Sequence, residues 1–311
     1  MELHLPIADV TVSPVAVVLL GAVIGFLAGL FGVGGGFLGT PLLNLVFGVP
    51  YNVAAGTSLA QILGTSISAA VKHRGLGNVD AKLGFCMLLG GWVGLESGAR
   101  VVEALKKVEP VTIDGRTVVG LDLFIPIVFL VFLPTVATVM WRESRRAQKR
   151  EPKGGMVESS LADRLQRVQT PPVVRFASSG VPDMSLPILL AIGFGPGFLS
   201  GLLGVGGGFV LVPTLIYAVG LPTRAAIGTS LFHMIFLSTF GTFTHAHKGN
   251  VDPVLAALLL VGSIIGARIG ASTTRRVRGA RLRYWFSLVV YGAAAAVLAK
   301  LVALLLLPRM G

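Results

Sequence analysis

The chain carries the same glycine run in both of its halves. The sequence Gly-Val-Gly-Gly-Gly-Phe occupies residues 32–37 and returns at residues 204–209. Apolar residues flank each run, yet glycine inside a helix is less favourable than alanine by about 1 kcal/mol per residue. Each run therefore predicts a break between two helical segments. At membrane depth a break is tolerated only where the freed backbone is buried in protein or lines a cavity, so two matched breaks indicate a transporter-type binding site.

Composition places the chain in a bilayer. Hydrophobic residues make up 53% of the sequence and charged residues only 13%, and the mean hydropathy is +0.81. A soluble domain carries about 25% charged residues. The net charge of +12 would also suit a nucleic-acid partner, but the basic residues gather in a few segments between apolar stretches, which is the positive-inside pattern. The sequence therefore predicts an integral membrane protein in contact with lipid and no nucleic-acid partner. Cys86, the only cysteine, is predicted to be a packing residue.

The apolar stretches predict an all-α fold of about ten transmembrane elements, five in each half. A first transmembrane repeat covers residues 1–141, a basic linker 142–185 and a second repeat 186–311. The predicted helices cover residues 14–31, 37–47, 53–71, 79–98 and 121–141, and then 186–203, 209–219, 225–244, 251–271 and 284–307. Within the linker, residues 161–168 are predicted to form a short amphipathic helix at the membrane surface. An anionic-lipid or regulatory role is the alternative to a plain linker.

The two halves are an internal repeat with a constant offset. The offset of the glycine runs also relates Pro41 to Pro213, and it relates two further motifs. Gly56-Thr57-Ser58 returns as Gly228-Thr229-Ser230, and residues 77–80 (Gly-Asn-Val-Asp) return as residues 249–252. The positive-inside rule places the basic linker in the cytoplasm, together with the arginine-rich segment 275–283. An odd number of elements in each repeat then gives the halves inverted topology, with both termini outside.

The repeated motifs supply the predicted substrate site. The first amides of a helix have no intrahelical acceptor, and with the helix dipole they attract an anion. The alternative role for the glycines is close helix packing. Hydroxyls of the Gly-Thr-Ser motifs either donate to the anion or bond back to the preceding turn. One turn later, Gln61 and His233 are polar groups in apolar surroundings. Either they flank the anion, with His233 able to carry a proton, or they join helices by hydrogen bonds. The predicted substrate-binding residues are Gly34, Gly35, Gly36, Thr57, Ser58, Gln61, Gly206, Gly207, Gly208, Thr229, Ser230 and His233.

Two basic clusters follow the third helix of each repeat. They are predicted to form vestibules at opposite membrane faces, which attract an anion or relay protons; their members are Lys72, His73, Arg74, His245, His247 and Lys248. The two histidines of the second cluster lack the other ligands that a metal needs, so no metal site is predicted. Asp80 and Asp252 are predicted to cap the following helices. The sequence shows neither a nucleophile–base set nor a cofactor motif, so neither an enzyme nor a cofactor is expected.

Taken together, the repeated Gly-x-Gly-Gly-Gly-Phe, the prolines, the Gly-Thr-Ser and the Gly-Asn-Val-Asp turn resemble the TauE/SafE sulfite-exporter family. The resemblance covers both halves and omits mainly the linker and the loop 100–120. It implies secondary transport, namely export of sulfite or a related small sulfur anion such as an organosulfonate across the bacterial inner membrane. An anion channel and a non-transporting receptor or scaffold are the rival functions. Proton coupling and a homodimer remain open.

Overall fold

The computed structural model describes residues 3–106, 111–113, 116–118, 120–150, 159–176 and 180–306. Helices dominate these residues, as the sequence predicts. They are α1 (Pro14–Phe31), α2 (Gly36–Val46), α3 (Tyr51–Gly75), α4 (Ala81–Cys86), α5 (Leu88–Lys106), α6 (Gly120–Arg150), α7 (Ser160–Arg167), α8 (Leu186–Leu203), α9 (Gly208–Thr214, continued by a π-helical turn Leu215–Val219), α10 (Thr223–His247), α11 (Pro253–Thr274) and α12 (Gly279–Leu306).

The described strands form three small antiparallel pairs. They are β1 (Leu3–Leu5) with β2 (Val10–Val12), β3 (Val111–Ile113) with β4 (Arg116–Val118), and β5 (Val173–Val174) with β6 (Met184–Ser185). The β1–β2 hairpin packs its apolar side on the end of α2, where Leu5 and Val12 join a buried cluster with Leu43 and Val49.

Seven of the described helices are long and apolar enough to cross a membrane, namely α1, α3, α6, α8, α10, α11 and α12. The all-α membrane fold is therefore confirmed. The other three of the ten predicted elements are helical but do not meet the criteria for a span. Two of them, α2 and α9 with its π-helical turn, are short. The third is interrupted at Met87, which separates α4 from α5.

Several helices extend beyond their predicted ends into charged sequence. α3 continues to Gly75, so Lys72–Arg74 lies in its last turn rather than in a polar loop. α6 continues to Arg150, which makes the start of the predicted linker helical, and α5 enters the predicted loop as far as Lys106. The reason is that Arg, Lys, Glu and Gln favour helix almost as well as alanine, so loss of hydrophobicity does not end a helix.

The first helix of each half packs along the fourth element of the other half, and glycine makes both contacts close. A Cβ on Gly21 of α1 would lie 2.4 Å from the carbonyl oxygen of Leu259 in α11. At the matched position, a Cβ on Gly193 of α8 would lie 2.2 Å from the carbonyl oxygen of Met87 beside α5. Small residues allow such backbone approach in membrane proteins. α3 packs against α10 and α6 against α12, so each of these pairs joins equivalent helices of the two halves.

Candidate functional site

The glycine runs break the chain between α1 and α2 and again between α8 and α9. The first break holds Gly32, Gly34 and Gly35 at φ values of 77°, 66° and 93°, and the second repeats this with 66°, 74° and 68° at the matched glycines. This is the left-handed region, in which the Cβ of any other residue meets the following carbonyl. The left-handed backbone is what reverses the chain direction within four residues.

The two breaks lie against each other. A Cβ on Gly36 would lie 2.5 Å from the carbonyl oxygen of Val205, and a Cβ on Gly208 would lie 2.7 Å from the carbonyl oxygen of Val33. The phenylalanines that follow the runs also meet, with 6.1 Å between their ring centroids. The N-terminal ends of α2 and α9, which come from different halves of the chain, are therefore neighbours.

Both of these helix starts have free amides. The amides of Leu38 and Gly39 donate to the carbonyl oxygen of Gly35 at 3.1 and 2.9 Å, and the second run repeats this pattern at Gly207 with 3.1 and 3.0 Å. Among the residues that the structure describes, no side chain caps either start. The preceding amides, those of Gly36 and its counterpart Gly208 among them, have no acceptor within their own helices. The positive ends of two helix dipoles thus lie together.

Two matched apolar side chains occupy the space beside the runs. A Cβ on Gly34 would meet Met234 Cε at 2.3 Å and Ile62 Cγ2 at 2.8 Å, and a Cβ on Gly206 would meet the same two side chains at 2.8 and 2.9 Å. Ile62 and Met234 are fully buried. Ile62 and Met234 therefore pack directly against both glycine runs.

The threonines of the Gly-Thr-Ser motifs join the two halves. Thr57 Oγ1 accepts a hydrogen bond from the amide of Asp252 at 3.1 Å, and Thr229 Oγ1 accepts one from the amide of Asp80 at 2.9 Å. Both threonines are completely buried. The two threonines therefore fix α3 to the start of α11 and α10 to the start of α4.

The serines of the same motifs differ from each other. Ser230 Oγ donates to the carbonyl oxygen of Gly32 at 2.8 Å. Ser58 Oγ has no hydrogen-bond partner within the described part of the chain, although it is buried. It lies 3.0 Å from the point where a Cβ on Gly39 would be.

Gln61 and His233 are both buried and both half-satisfied. Gln61 Nε2 donates to Thr65 Oγ1 at 2.7 Å, and His233 Nδ1 lies 3.1 Å from the carbonyl oxygen of Gly84. Gln61 Oε1 and His233 Nε2 have no partner among the described residues. A proton on His233 Nδ1 satisfies the carbonyl and leaves Nε2 as an acceptor. The His233 bond joins α10 to α4, whereas the Gln61 bond lies within α3, and each residue keeps one polar atom without a described partner.

A cavity of about 720 Å³ opens at one end of the molecule. We call this the open end; it lies where α3 begins and α10 finishes, and Tyr51, His245, Lys248 and Asn250 are among its lining residues. The cavity reaches inward to Leu59 and to the C-terminal turn of α8, with Ser200, Gly201 and Gly204. The sequence analysis did not identify Tyr51 or Ser200 as cavity residues. For Ser200, the available signal was a polar residue among the glycines of an otherwise apolar helix.

The opposite end of α3 and α10, formed by His73, Thr223 and Arg275, is packed shut, and we call it the closed end. His73 is fully buried, and its Nε2 donates to the carbonyl oxygen of Gly29 at 3.0 Å. The Arg224 guanidinium donates to the carbonyl oxygens of Arg275 and Val277 at 3.1 and 3.0 Å.

The two predicted vestibules are therefore unequal. Lys72 and Arg74 are exposed, whereas His73 between them is buried in the protein. In the second cluster His245 and Lys248 line the cavity, His247 is exposed, and the Lys248 ammonium forms an ion pair with Glu103. Both aspartates are confirmed as helix caps. Asp80 Oδ1 accepts from the amide of Leu83, and Asp252 Oδ1 accepts from the amides of residues 254 and 255.

Comparisons with known proteins give one consistent result. The model of the family described as "Sulfite exporter TauE/SafE" matches residues 17–297. The chain is 28% identical over 273 residues to the probable membrane transporter protein YunE of Bacillus subtilis, covering 86% of this chain and 90% of that relative. It is 27% identical over 290 residues to the probable membrane transporter protein MJ0441 of Methanocaldococcus jannaschii, covering 88% and 91%. No solved structure matches the chain.

The family match spans both halves and includes both glycine runs, and the curated relatives are probable membrane transporters of nearly the same length. These matches point to a transporter rather than an enzyme, in agreement with the seven candidate spans. The chain belongs to the sulfite exporter TauE/SafE family of membrane proteins.

Proposed function

We propose that this chain exports sulfite, or a related small sulfur-containing anion such as an organosulfonate, across the bacterial inner membrane by alternating access. The anion is held where the starts of α2 and α9 meet, by the amides of Gly34–Gly36 and Gly206–Gly208. The hydroxyls of Thr57 and Thr229, on α3 and α10, are further candidate donors. Ser58, Ser230, Gln61 and His233 complete the group of candidate contacts.

One observation carries this proposal, namely the contact between the two glycine breaks. A single free helix start attracts an anion weakly, and surface helix starts are common. Here two free starts from different halves lie against each other, buried among apolar side chains, where electrostatic interactions are stronger than in water. Discontinuous helices whose N-termini point at an anionic group are the usual binding device of transporters built from repeats.

The reciprocal contacts support inverted topology and ten elements. Gly21 with Leu259 corresponds to Gly193 with Met87, and the Thr57 bond corresponds to the Thr229 bond. Reciprocal contacts are what a two-fold relation between the halves produces. With α2, α9 and the α4–α5 pair counted as elements, each half has five, and the basic linker lies in the cytoplasm with the closed end.

The difference between the two ends supports alternating access. Ala99 lines the cavity at the open end, whereas its counterpart Ala271 is fully buried. An access path exists on one side of the glycine breaks, and matched residues are packed together on the other side. Rocking one half against the other exchanges the two arrangements.

The packing at the centre favours a transporter over a channel. Ile62 and Met234 fill the space between the runs, so the cavity does not continue past them as an open filter. Export of an anion from a negative-inside cell is favoured by about 2.3 kcal/mol per charge at 100 mV. Uniport is therefore sufficient, and proton coupling through His233 Nε2 is an addition that export does not require.

The test is uptake of labelled sulfite into inside-out membrane vesicles. We expect saturable uptake that unlabelled sulfite, thiosulfate or an organosulfonate reduces and that chloride leaves unchanged. Vesicles containing the Gly207→Leu variant, inserted to the same level, serve as the control and should show no saturable uptake. If no sulfur anion shows saturable uptake, the proposed substrate class is wrong; uptake without saturation would favour the channel, and a lack of counterflow would favour a scaffold.

A further inference from the structure

One pair of matched hydrogen bonds is made in only one half of the chain. Ser230 Oγ on α10 donates to the carbonyl oxygen of Gly32 at 2.8 Å, which ties α10 to the first glycine break. The counterpart would join Ser58 on α3 to Gly204 at the second break. Instead, Ser58 Oγ has no partner in the described part of the chain, and Gly204 lines the cavity.

A second bond holds the closed end shut. His73 Nε2 donates to the carbonyl oxygen of Gly29 at 3.0 Å and holds the last turn of α3 against α1. The matched residues are His245 in the last turn of α10 and Gly201 on α8. Both of these line the cavity of the open end.

The carbonyl oxygen of Gly204, at the second break, accepts a hydrogen bond from a residue other than Ser58. Thr40 Oγ1 on α2 donates to the carbonyl oxygen of Gly204 at 3.3 Å, a long bond, and its counterpart is Val212, which has no donor. The Gly204 carbonyl oxygen, which Ser58 would otherwise bind, therefore accepts only this long hydrogen bond in the arrangement described. A buried hydroxyl without a partner is unfavourable, so the free hydroxyl of Ser58 favours a second state in which it acquires a bond.

From these contacts we infer that Ser58 and Ser230 form two exchanging latches. In the arrangement described, Ser230–Gly32 holds the closed end shut, together with His73–Gly29. In the alternate arrangement those bonds break, Ser58 donates to the Gly204 carbonyl, and the open end closes. Ser58 and Ser230 thus act as positioning residues for the conformational change. This inference rests on the alternating access proposed above, but on no particular substrate.

The exchange predicts opposite effects for matched substitutions. Ser230→Ala removes a bond present in the arrangement described, so it raises the population of the alternate arrangement. Ser58→Ala removes a bond present only in the alternate arrangement, so it lowers that population. A ligand or substitution shifts such an equilibrium only through its different effect on the two states.

The experiment measures cysteine modification without any substrate. Cys86 is the only cysteine, so a Cys86→Ala background lets single probes be introduced. The probe is Ala271→Cys, which is buried while the closed end is shut, and its matched control is Ala99→Cys in the cavity. The rate of reaction with a small water-soluble methanethiosulfonate reagent is measured on purified full-length protein in detergent.

We expect Ser230→Ala to raise the rate at Ala271→Cys by about fivefold and Ser58→Ala to lower it by about fivefold, as the net value of one hydrogen bond implies. The rate at Ala99→Cys should change by less than about twofold, because the open arrangement remains the major one. A further variant guards against misfolding of Ser230→Ala. His73→Leu, which removes the other bond of the closed end, should act like Ser230→Ala.

The latches are refuted if both members of a pair shift the rate at Ala271→Cys in the same direction, or if Ser58→Ala leaves it unchanged. The second result would mean that the difference between the ends is permanent, with Thr40 as the lasting partner of Gly204. Failure to transport any sulfur anion would leave these rates untouched, so the two proposals can fail separately. A substrate-contact role alone for Ser58 would alter substrate affinity without altering these rates.

Discussion

Alanine at Gly207 tests whether the second break is a close-packed unit. Gly207 has a φ of 68°, and a Cβ there would lie 2.3 Å from the backbone carbonyl oxygen of Pro196. A left-handed alanine costs about 1–2 kcal/mol. Overpacking against backbone, which cannot rotate away, adds about 1–3 kcal/mol. We therefore expect Gly207→Ala to destabilise the protein by about 2–5 kcal/mol in total.

Gly35 and Gly48 provide a graded comparison. Gly35 has a φ of 93°, and its Cβ would meet a side-chain atom, Ile24 Cγ2, at 2.3 Å, so part of the strain is relieved by side-chain movement. Gly48 has a φ of 69°, but nothing lies within 4 Å of its Cβ position. Gly48→Ala should therefore lose only the backbone term of about 1–2 kcal/mol.

The assay is thermal unfolding in detergent together with vesicle uptake. The unfolding temperature should fall in the order wild type, Gly48→Ala, Gly35→Ala, Gly207→Ala. Transport should persist in Gly48→Ala, since this turn lies away from the glycine breaks, and should be lost in Gly207→Ala even where insertion is normal. If Gly207→Ala unfolds at the same temperature as Gly48→Ala and still transports, the breaks neither pack closely nor form the site.

Three further predictions follow from single contacts. Thr57→Val leaves the buried amide that it satisfies unpaired, at about 1–3 kcal/mol, whereas Thr57→Ser should unfold near the wild-type temperature. Asp252→Asn should lower the unfolding temperature more than Asp80→Asn, because both carboxylate oxygens of Asp252 accept amide bonds and Asp80 Oδ2 has no described partner; equal losses would contradict this. Met234→Leu removes the thioether beside the glycine runs at similar volume and should preserve insertion while changing the uptake rate, and an unchanged rate would argue that the space beside the runs is not on the path.

The sequence predicted the helices, the glycine breaks and the aspartate caps because these features follow from local composition. Glycine runs, apolar stretches and aspartate caps act within a few residues, and all three appear where the pattern placed them. Helix ends were less predictable. α6 extends to Arg150 because helix propensity, and not hydropathy, decides where a charged helix stops.

The state of the site could not be predicted, because a repeat gives both halves the same pattern. Ser58 and Ser230 occupy equivalent positions, and nothing local shows that only Ser230 finds its carbonyl. In the same way, His73 is buried while His245 lines a cavity. These differences depend on how the two halves sit against each other, which is a tertiary property.

Residues outside the repeat pack at the closed end. The linker helix α7 docks at the closed end, where Ser159 Oγ donates to the carbonyl oxygen of Tyr217 at 2.6 Å and Gln166 Nε2 donates to that of Val219 at 3.0 Å. These acceptors lie in the π-helical turn after α9, whose last carbonyls have no intrahelical partner. A Cβ on Gly220 would lie 3.2 Å from Gln166 Nε2, whereas one on its counterpart Gly48 would meet nothing. At the end of α2, the counterpart position, the β1–β2 hairpin packs instead. Different elements therefore stabilise the two ends, and under the proposed alternating access this difference gives the two arrangements unequal populations.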